Sequence, residues 1–178
     1  MQKLTFILVL IFPLAVYAGA NEDLIKASKN GNKPAVEKSL NSGAKINGKD
    51  KDGRSPLMWA SVKGHLEVAQ LLISKDADVN ARDISKLTSL MLACNQGHWK
   101  VVQLLIRKGA DVNAKDKDGK TGLMYAVARG DGNSVNLLIR KGADVNAKNN
   151  RGQTALSYAT SKGRDDLVDM LRKAGAKQ

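Results

Sequence analysis

The residues of this chain that are suited to chemistry are few and badly placed for it. Cys94 is the only cysteine, so a multi-cysteine metal site and an intramolecular disulfide are excluded, and His65 and His98, the only histidines, leave little material for a histidine-based catalytic or zinc centre. The loops Asp50-Lys51-Asp52-Gly53 and Asp116-Lys117-Asp118-Gly119 begin like calcium loops. Their first ligand position falls on Gly48 or Ala114, and the closing bidentate carboxylate on Trp59 or Tyr125, so they fail as such. No serine or threonine is paired with a base, and no glycine-rich phosphate loop precedes a strand–helix unit. Cys94 lies beside Ala93 where other parts of the chain place Ser61, Val127 and Thr160, which reads as a small buried thiol and not a nucleophile. The expectation is a protein with no catalytic residues, no metal and no cofactor.

What positions these residues is a strict period. Gly31, Gly64, Gly97, Gly130 and Gly163 are 33 residues apart, and so are Ser55, Thr88, Thr121 and Thr154. Leu57, Leu90, Leu123 and Leu156 share the interval, as do Ala60, Ala93, Ala126 and Ala159, and Asn47, Asn80, Asn113 and Asn146. A fixed interval of this length marks a repeat architecture whose units cannot bury their apolar faces alone. In the unit Asp50–Arg82, Ser55 is placed to cap a helix with Pro56 at its first position, where a missing N–H costs nothing. Leu57, Ala60 and Ser61 share one face of that helix, and Gly64 ends it in a left-handed conformation. His65 to Lys75 predicts a second helix with Leu66, Ala69, Leu72 and Ile73 on its apolar stripe. Asp52-Gly53 supplies a hairpin tip.

The segments Ser55-Pro56-Leu57-Met58-Trp59-Ala60 and Gly109-Ala110-Asp111-Val112-Asn113-Ala114 resemble the T-P-L-H-x-A and G-A-D-V-N-A signatures of ankyrin repeats, over about Asn21 to Ala176. The resemblance implies an all-α ankyrin-repeat solenoid of five helix-pair repeats with short β-hairpin loops, divided at 21–50, 51–83, 84–116, 117–149 and 150–178. The first and last units read as caps, Asn21 capping a helix that starts with Glu22 and Asp23, and Arg164, Asp165, Asp169 and Arg172 giving the last helix a polar face. His65 and His98 fill a slot where the family commonly has histidine, which gives them a structural role. Met58, Met91, Met124 and Ser157 replace the histidine of the first signature, so methionine packing is expected there. In the fourth unit, Gly130-Asp131-Gly132-Asn133 weakens the start of the second helix.

Ankyrin modules bind partners through hairpin tips and the exposed side of the first helices. Carried over by position, that concave surface would include Lys51, Asp52, Arg54, Val62 and Lys63, then Ile84, Ser85, Leu87, Asn95 and Gln96. It continues with Lys117, Asp118, Lys120 and Arg129, then Asn150, Arg151, Gln153 and Lys162, with Arg82, Lys115 and Lys148 between the units. The hairpin tip of the third unit, Asp83-Ile84-Ser85-Lys86-Leu87, replaces a glycine with Lys86 and charged residues with Ile84 and Leu87. That reads either as an exposed apolar anchor or as local repacking of one hairpin. Trp99, where the preceding unit has Leu66, is either a filler between helices or a second contact on the outer side.

The N-terminal segment reads as an address. Lys3 precedes the apolar run Leu4–Val16, and Ala18, Gly19 and Ala20 follow, the order of a secretory signal peptide over residues 1–20 with cleavage after Ala18 or after Ala20. No N-x-Ser/Thr acceptor site occurs among thirteen asparagines, which leans towards a bacterial periplasm. With 29 Lys plus Arg against 17 Asp plus Glu, the net charge is +12. Export and the lack of a groove-reading motif argue against nucleic acid, and nothing beyond the leader suggests integral membrane association. The expected partner is another exported protein with an acidic surface, bound by a scaffold that is monomeric when free. Some exported bacterial relatives of this kind protect their hosts from cell-wall peptidases, so an inhibitor or immunity-type role is the leading expectation. A stabiliser of an exported enzyme and charge-driven adhesion to anionic envelope polymers are the alternatives.

Overall fold

The computed structural model describes residues 8–177, so residues 1–7, which include the charged start of the expected export signal, lie outside the described residues. Among the described residues, ten helices follow one another in two alternating layers. The first-of-pair helices are α1 (Leu8–Asn30), α3 (Pro56–Lys63), α5 (Ser89–Gln96), α7 (Gly122–Arg129) and α9 (Ala155–Ser161). The second-of-pair helices are α2 (Lys33–Asn41), α4 (Leu66–Ser74), α6 (Trp99–Arg107), α8 (Gly132–Arg140) and α10 (Asp165–Lys173). Each helix packs on its own pair-mate and on the corresponding helix of the adjoining unit. Isolated helices of seven to nine residues are unstable in water. Here burial between units supplies what length cannot.

The caps are made as the sequence implies. Ser55, Thr88, Thr121 and Thr154 each accept the N–H three residues on through the side-chain oxygen. Where the usual signature has histidine, the Met58 sulfur accepts the Ser55 N–H, and the Ser157 hydroxyl accepts the Thr154 N–H. Met58, Met91 and Met124 are buried, as expected for methionine packing. The small residues Ala60, Ala93, Ala126 and Ala159 are fully buried, so the first helices approach one another closely.

The junctions are sewn by repeated polar contacts. Asn47, Asn80, Asn113 and Asn146 each accept, through Oδ1, a backbone N–H of the next unit, at Asp78, Asp111, Asp144 and Lys177 (2.8–2.9 Å). The Nε2–H of His65 donates to the Lys29 carbonyl and that of His98 to the Val62 carbonyl, both at 3.0 Å, so both histidines are structural latches. Gly64 is needed twice over: its φ of 74° is left-handed, and a Cβ there would stand 2.6 Å from Nδ1 of His98.

Several expectations need correction. The helix of the first unit does not begin at Asn21 but runs on from Leu8, and Asn21 is not its cap; its Oδ1 accepts the Lys45 N–H at 2.7 Å. Lys45 occupies the position of Asp78, so α1 supplies here the bond that a preceding loop would otherwise give. The buried stripe of α4 is Val68, Ala69 and Leu72, while Leu66 and Ile73 are half-buried at its margins. At the start of α8, which opens on Gly132, Asp131 supplies a cap, accepting the Ser134 N–H. The loops turn back as hairpins, closed by pairs such as Asp50 N–H to Arg54 O, yet no described residue is in a strand. Among the described residues, two that are not glycine carry strain of the left-handed kind, Asp76 (φ 63°) and Lys86 (φ 60°), the latter at the missing glycine of the Asp83–Leu87 hairpin.

Candidate protein-binding surface

The surface is built on four hairpin turns, each folded around one side chain. Oδ1 of Asp50 accepts the N–H groups of Asp52 and Arg54, and Asp83, Asp116 and Asn149 do the same two and four residues on (2.8–3.0 Å throughout). Neighbouring turns are joined by single backbone bonds, Ile84 N–H to Asp52 O, Lys117 N–H to Ser85 O and Asn150 N–H to Asp118 O. The row of tips is therefore a continuous, backbone-pinned edge along the solenoid.

The remaining carboxylate oxygen reaches down to the first helix. Oδ2 of Asp50 accepts Nε1–H of Trp59 (2.7 Å), and Oδ2 of Asp116 accepts the hydroxyl of Tyr125 (2.6 Å). In the last unit Asn149 donates instead, to the Tyr158 oxygen (3.1 Å). Trp59, Leu92, Tyr125 and Tyr158 form one further 33-residue series, whose mixed residue types hide it in the sequence. Leu92 has no polar side-chain atom, and Oδ2 of Asp83 takes Nε–H of Arg54 from the preceding hairpin (3.4 Å).

Electrostatics follow this wiring. Burial works to raise the Asp50 pKa, but hydrogen bonds from Arg54, Trp59 and Asp52 and the charge of Lys29 outweigh it and hold the carboxyl below its ordinary range. Burial, then the bond to Asp116, pushes the Tyr125 phenol up. The Cys94 thiol is pushed up chiefly by complete burial, with a smaller contribution from Asp131, as expected for a packing residue. Lys29 Nζ stands 3.9 Å from the centre of the Trp59 ring and the Arg54 guanidinium 4.9 Å from it, so the ring is clasped by two cations. Lys120 lies 5.8 Å from the Tyr125 ring.

Most residues of the sequence-predicted surface are solvent-accessible in the structure. Lys51, Lys63, Arg82, Ile84, Ser85, Asn95, Gln96, Lys115, Lys117, Arg129, Arg151 and Lys162 are exposed, and Asp52, Arg54 and Lys120 are half-buried. Arg82 wraps its own hairpin, donating to the carbonyls of Lys86 and Lys115, and Lys115 repeats the reach to the carbonyl of Lys148 (3.2 Å). Two members behave otherwise. Leu87 is not an exposed anchor: it is half-buried in a small second core with Met58, Val62, Ala81 and Leu92. Trp99 is 40% exposed at the first turn of α6, in the layer of second helices, and so does not join the hairpin surface. Ile84, at 60% exposure, alone projects from the tips as an apolar side chain. Among the described residues, only Arg54–Asp83 and Lys120–Asp118 form ion pairs, which leaves the surface strongly cationic.

Among the described residues, no three histidine, cysteine or acidic side chains are grouped to hold a metal, and no helix is long and apolar enough to cross a membrane. A comparison with curated proteins finds no match. The family described as ankyrin repeats (3 copies) matches residues 24–116 and again 90–178, which spans the helical pairs and every hairpin above. Both the matched residues and the stacking of the units lead to one assignment: the chain belongs to the ankyrin-repeat family, whose members are typically protein-binding scaffolds and not enzymes.

Proposed function

We propose that this protein is exported to the bacterial envelope, docks through its basic hairpin face on an acidic surface of another exported protein, and restrains that partner. The partner class that fits best is an envelope enzyme such as a cell-wall peptidase, with this chain as its inhibitor or self-protection protein. The observation that carries docking is Ile84, an apolar side chain 60% exposed among the cations of neighbouring turn positions, Lys51, Lys86 and Lys117. An apolar knob ringed by charge is the anatomy of an interface centre, where burial gives affinity and charge gives orientation. Export rests on the Lys3, Leu4–Val16 and Ala18-Gly19-Ala20 pattern.

The test has two parts. Protein recovered from the envelope fraction should have an intact mass lacking the residues through Ala18 or Ala20; full-length chain confined to the cytosol would sink export. Partner captured by the wild-type protein in moderate salt should be lost about tenfold or more by Ile84→Asp, and added protein should lower the activity of the captured enzyme. Raised or longer-lived activity would instead identify a stabiliser. Because nearly all the basic side chains lack acidic partners among the described residues, adhesion to anionic polymers is the second reading. It requires binding that vanishes in salt and ignores Ile84→Asp.

A further inference from the structure

The row of hairpins is incomplete at its N-terminal end. Ile84, Lys117 and Asn150 each donate their N–H to a carbonyl of the preceding turn. Lys51 holds the same position in the first turn, and its N–H has no acceptor among the described residues, because the residues that would form a preceding turn in the 33-residue register are part of helix α1. The equivalent gap at the loop base is filled, since Asn21 takes the Lys45 N–H. At the tip it is not. What lies there is an open groove of about 510 Å³ between α1 and the turn, lined by Lys26, Lys29, Lys49 and Lys51, with Ile25 as an apolar wall. Only Glu22 and Asp50 oppose the four lysines, and both oxygens of Asp50 are already used by Asp52, Arg54 and Trp59. Two of the lysines are preset: Lys29 by the face of Trp59, and Lys49 by its 2.8 Å bond to the Arg82 carbonyl.

We infer that this vacant hairpin slot takes an extended acidic segment of a partner protein, one carbonyl accepting the Lys51 N–H and the flanking carboxylates meeting Lys26, Lys29 and Lys51. An extended chain offers exposed peptide carbonyls that can continue the row of single backbone bonds, and acidic side chains match the charge of the walls. A second copy of this chain would offer its own open end, the turn Asn149-Asn150-Arg151-Gly152-Gln153, which has no carboxylate and carries Arg151, so like charges would meet. The inference rests on the docking reading only in that the partner is an acidic protein; export and restraint can fail without affecting it.

The test is a titration of ¹⁵N-labelled protein with an eight-residue peptide of alternating glutamate and valine, blocked at both ends, against the same peptide with glutamine for glutamate. The acidic peptide alone should shift the Lys51 amide most and slow its hydrogen exchange, and Lys26→Gln with Lys51→Gln should weaken binding about tenfold. Both lysines are exposed, so the fold should survive the pair. Ile84→Asp should leave peptide affinity within about twofold, since Ile84 lies outside the groove. Shifts centred on Ile84 and Lys117 would overturn the slot while leaving the docking reading intact. Equal small shifts at every lysine that disappear in salt would overturn it too, as would a doubled mass in scattering, with Arg151 responding, when no peptide is present. If Lys51 responds and Ile84→Asp still retains the cellular partner, it is the docking reading that falls.

Discussion

The third and fourth units share one backbone and differ in what fills the space beneath the hairpin. In the fourth, Tyr125 ties its hydroxyl to Asp116, Lys120 lies beside the ring, and Gly119 takes the left-handed turn position. In the third, Leu92 stands for the tyrosine, Leu87 for Lys120, and Lys86 for the glycine. The polar tie is exchanged for an apolar cluster, and Asp83 is paired with Arg54 of the preceding hairpin. The turn itself is unaltered, because Oδ1 of Asp83 and of Asp116 accept equivalent backbone N–H groups in both. One oxygen of each carboxylate is therefore committed to the fold, and the other is open to variation. That freedom lets one unit expose Ile84 where its neighbour exposes Lys117.

The contrast can be broken from either side. Leu92→Ala should cost most, about 2–4 kcal/mol, since it removes the centre of the apolar cluster beneath Leu87; equilibrium denaturation measures it. A loss under 1 kcal/mol would mean that the cluster contributes little. Tyr125→Phe should cost about 1–2 kcal/mol by leaving Oδ2 of a buried Asp116 without its donor. The same variant tests the ionisation. The native phenol pKa is raised above its unfolded value near 10, so stability present below that pH is lost as pH rises through and beyond it. In Tyr125→Phe the alkaline limb of the stability curve should be shallower than in the wild type.

Smaller effects sharpen the comparison. Lys86→Gly should stabilise the Asp83–Leu87 hairpin by about 1 kcal/mol, because a side chain at φ 60° is strained where glycine is not. Gly119→Ala in the fourth unit should have the opposite sign, since its φ is 76° and a Cβ would stand 2.6 Å from Oδ1 of Asn150. Smallest is Ser89→Ala. The Ser89 hydroxyl is fully buried at the start of α5 with no hydrogen-bond partner, so its removal should be neutral or stabilising by up to about 1 kcal/mol in thermal unfolding.

Much of this was legible from residue order. The 33-residue period gave the number of units, Ser55, Thr88, Thr121 and Thr154 gave the helix starts, and Gly64, Gly97 and Gly130 gave the ends of α3, α5 and α7. These are bonds spanning three to five residues, so the types at neighbouring positions decide them. The exposed cations of the hairpin surface were likewise placed by position alone. The fate of Leu87, the partner of Asp83, the clasp of Lys29 and Arg54 on Trp59, and the bond from Lys45 to Asn21 were decided only by stacking. Each of them joins residues brought together by the way one unit leans on another, and side-chain direction across a junction is set by packing and not by local propensity. The empty place beside Lys51 belongs to the same class, because only the three-dimensional course of α1 leaves it open.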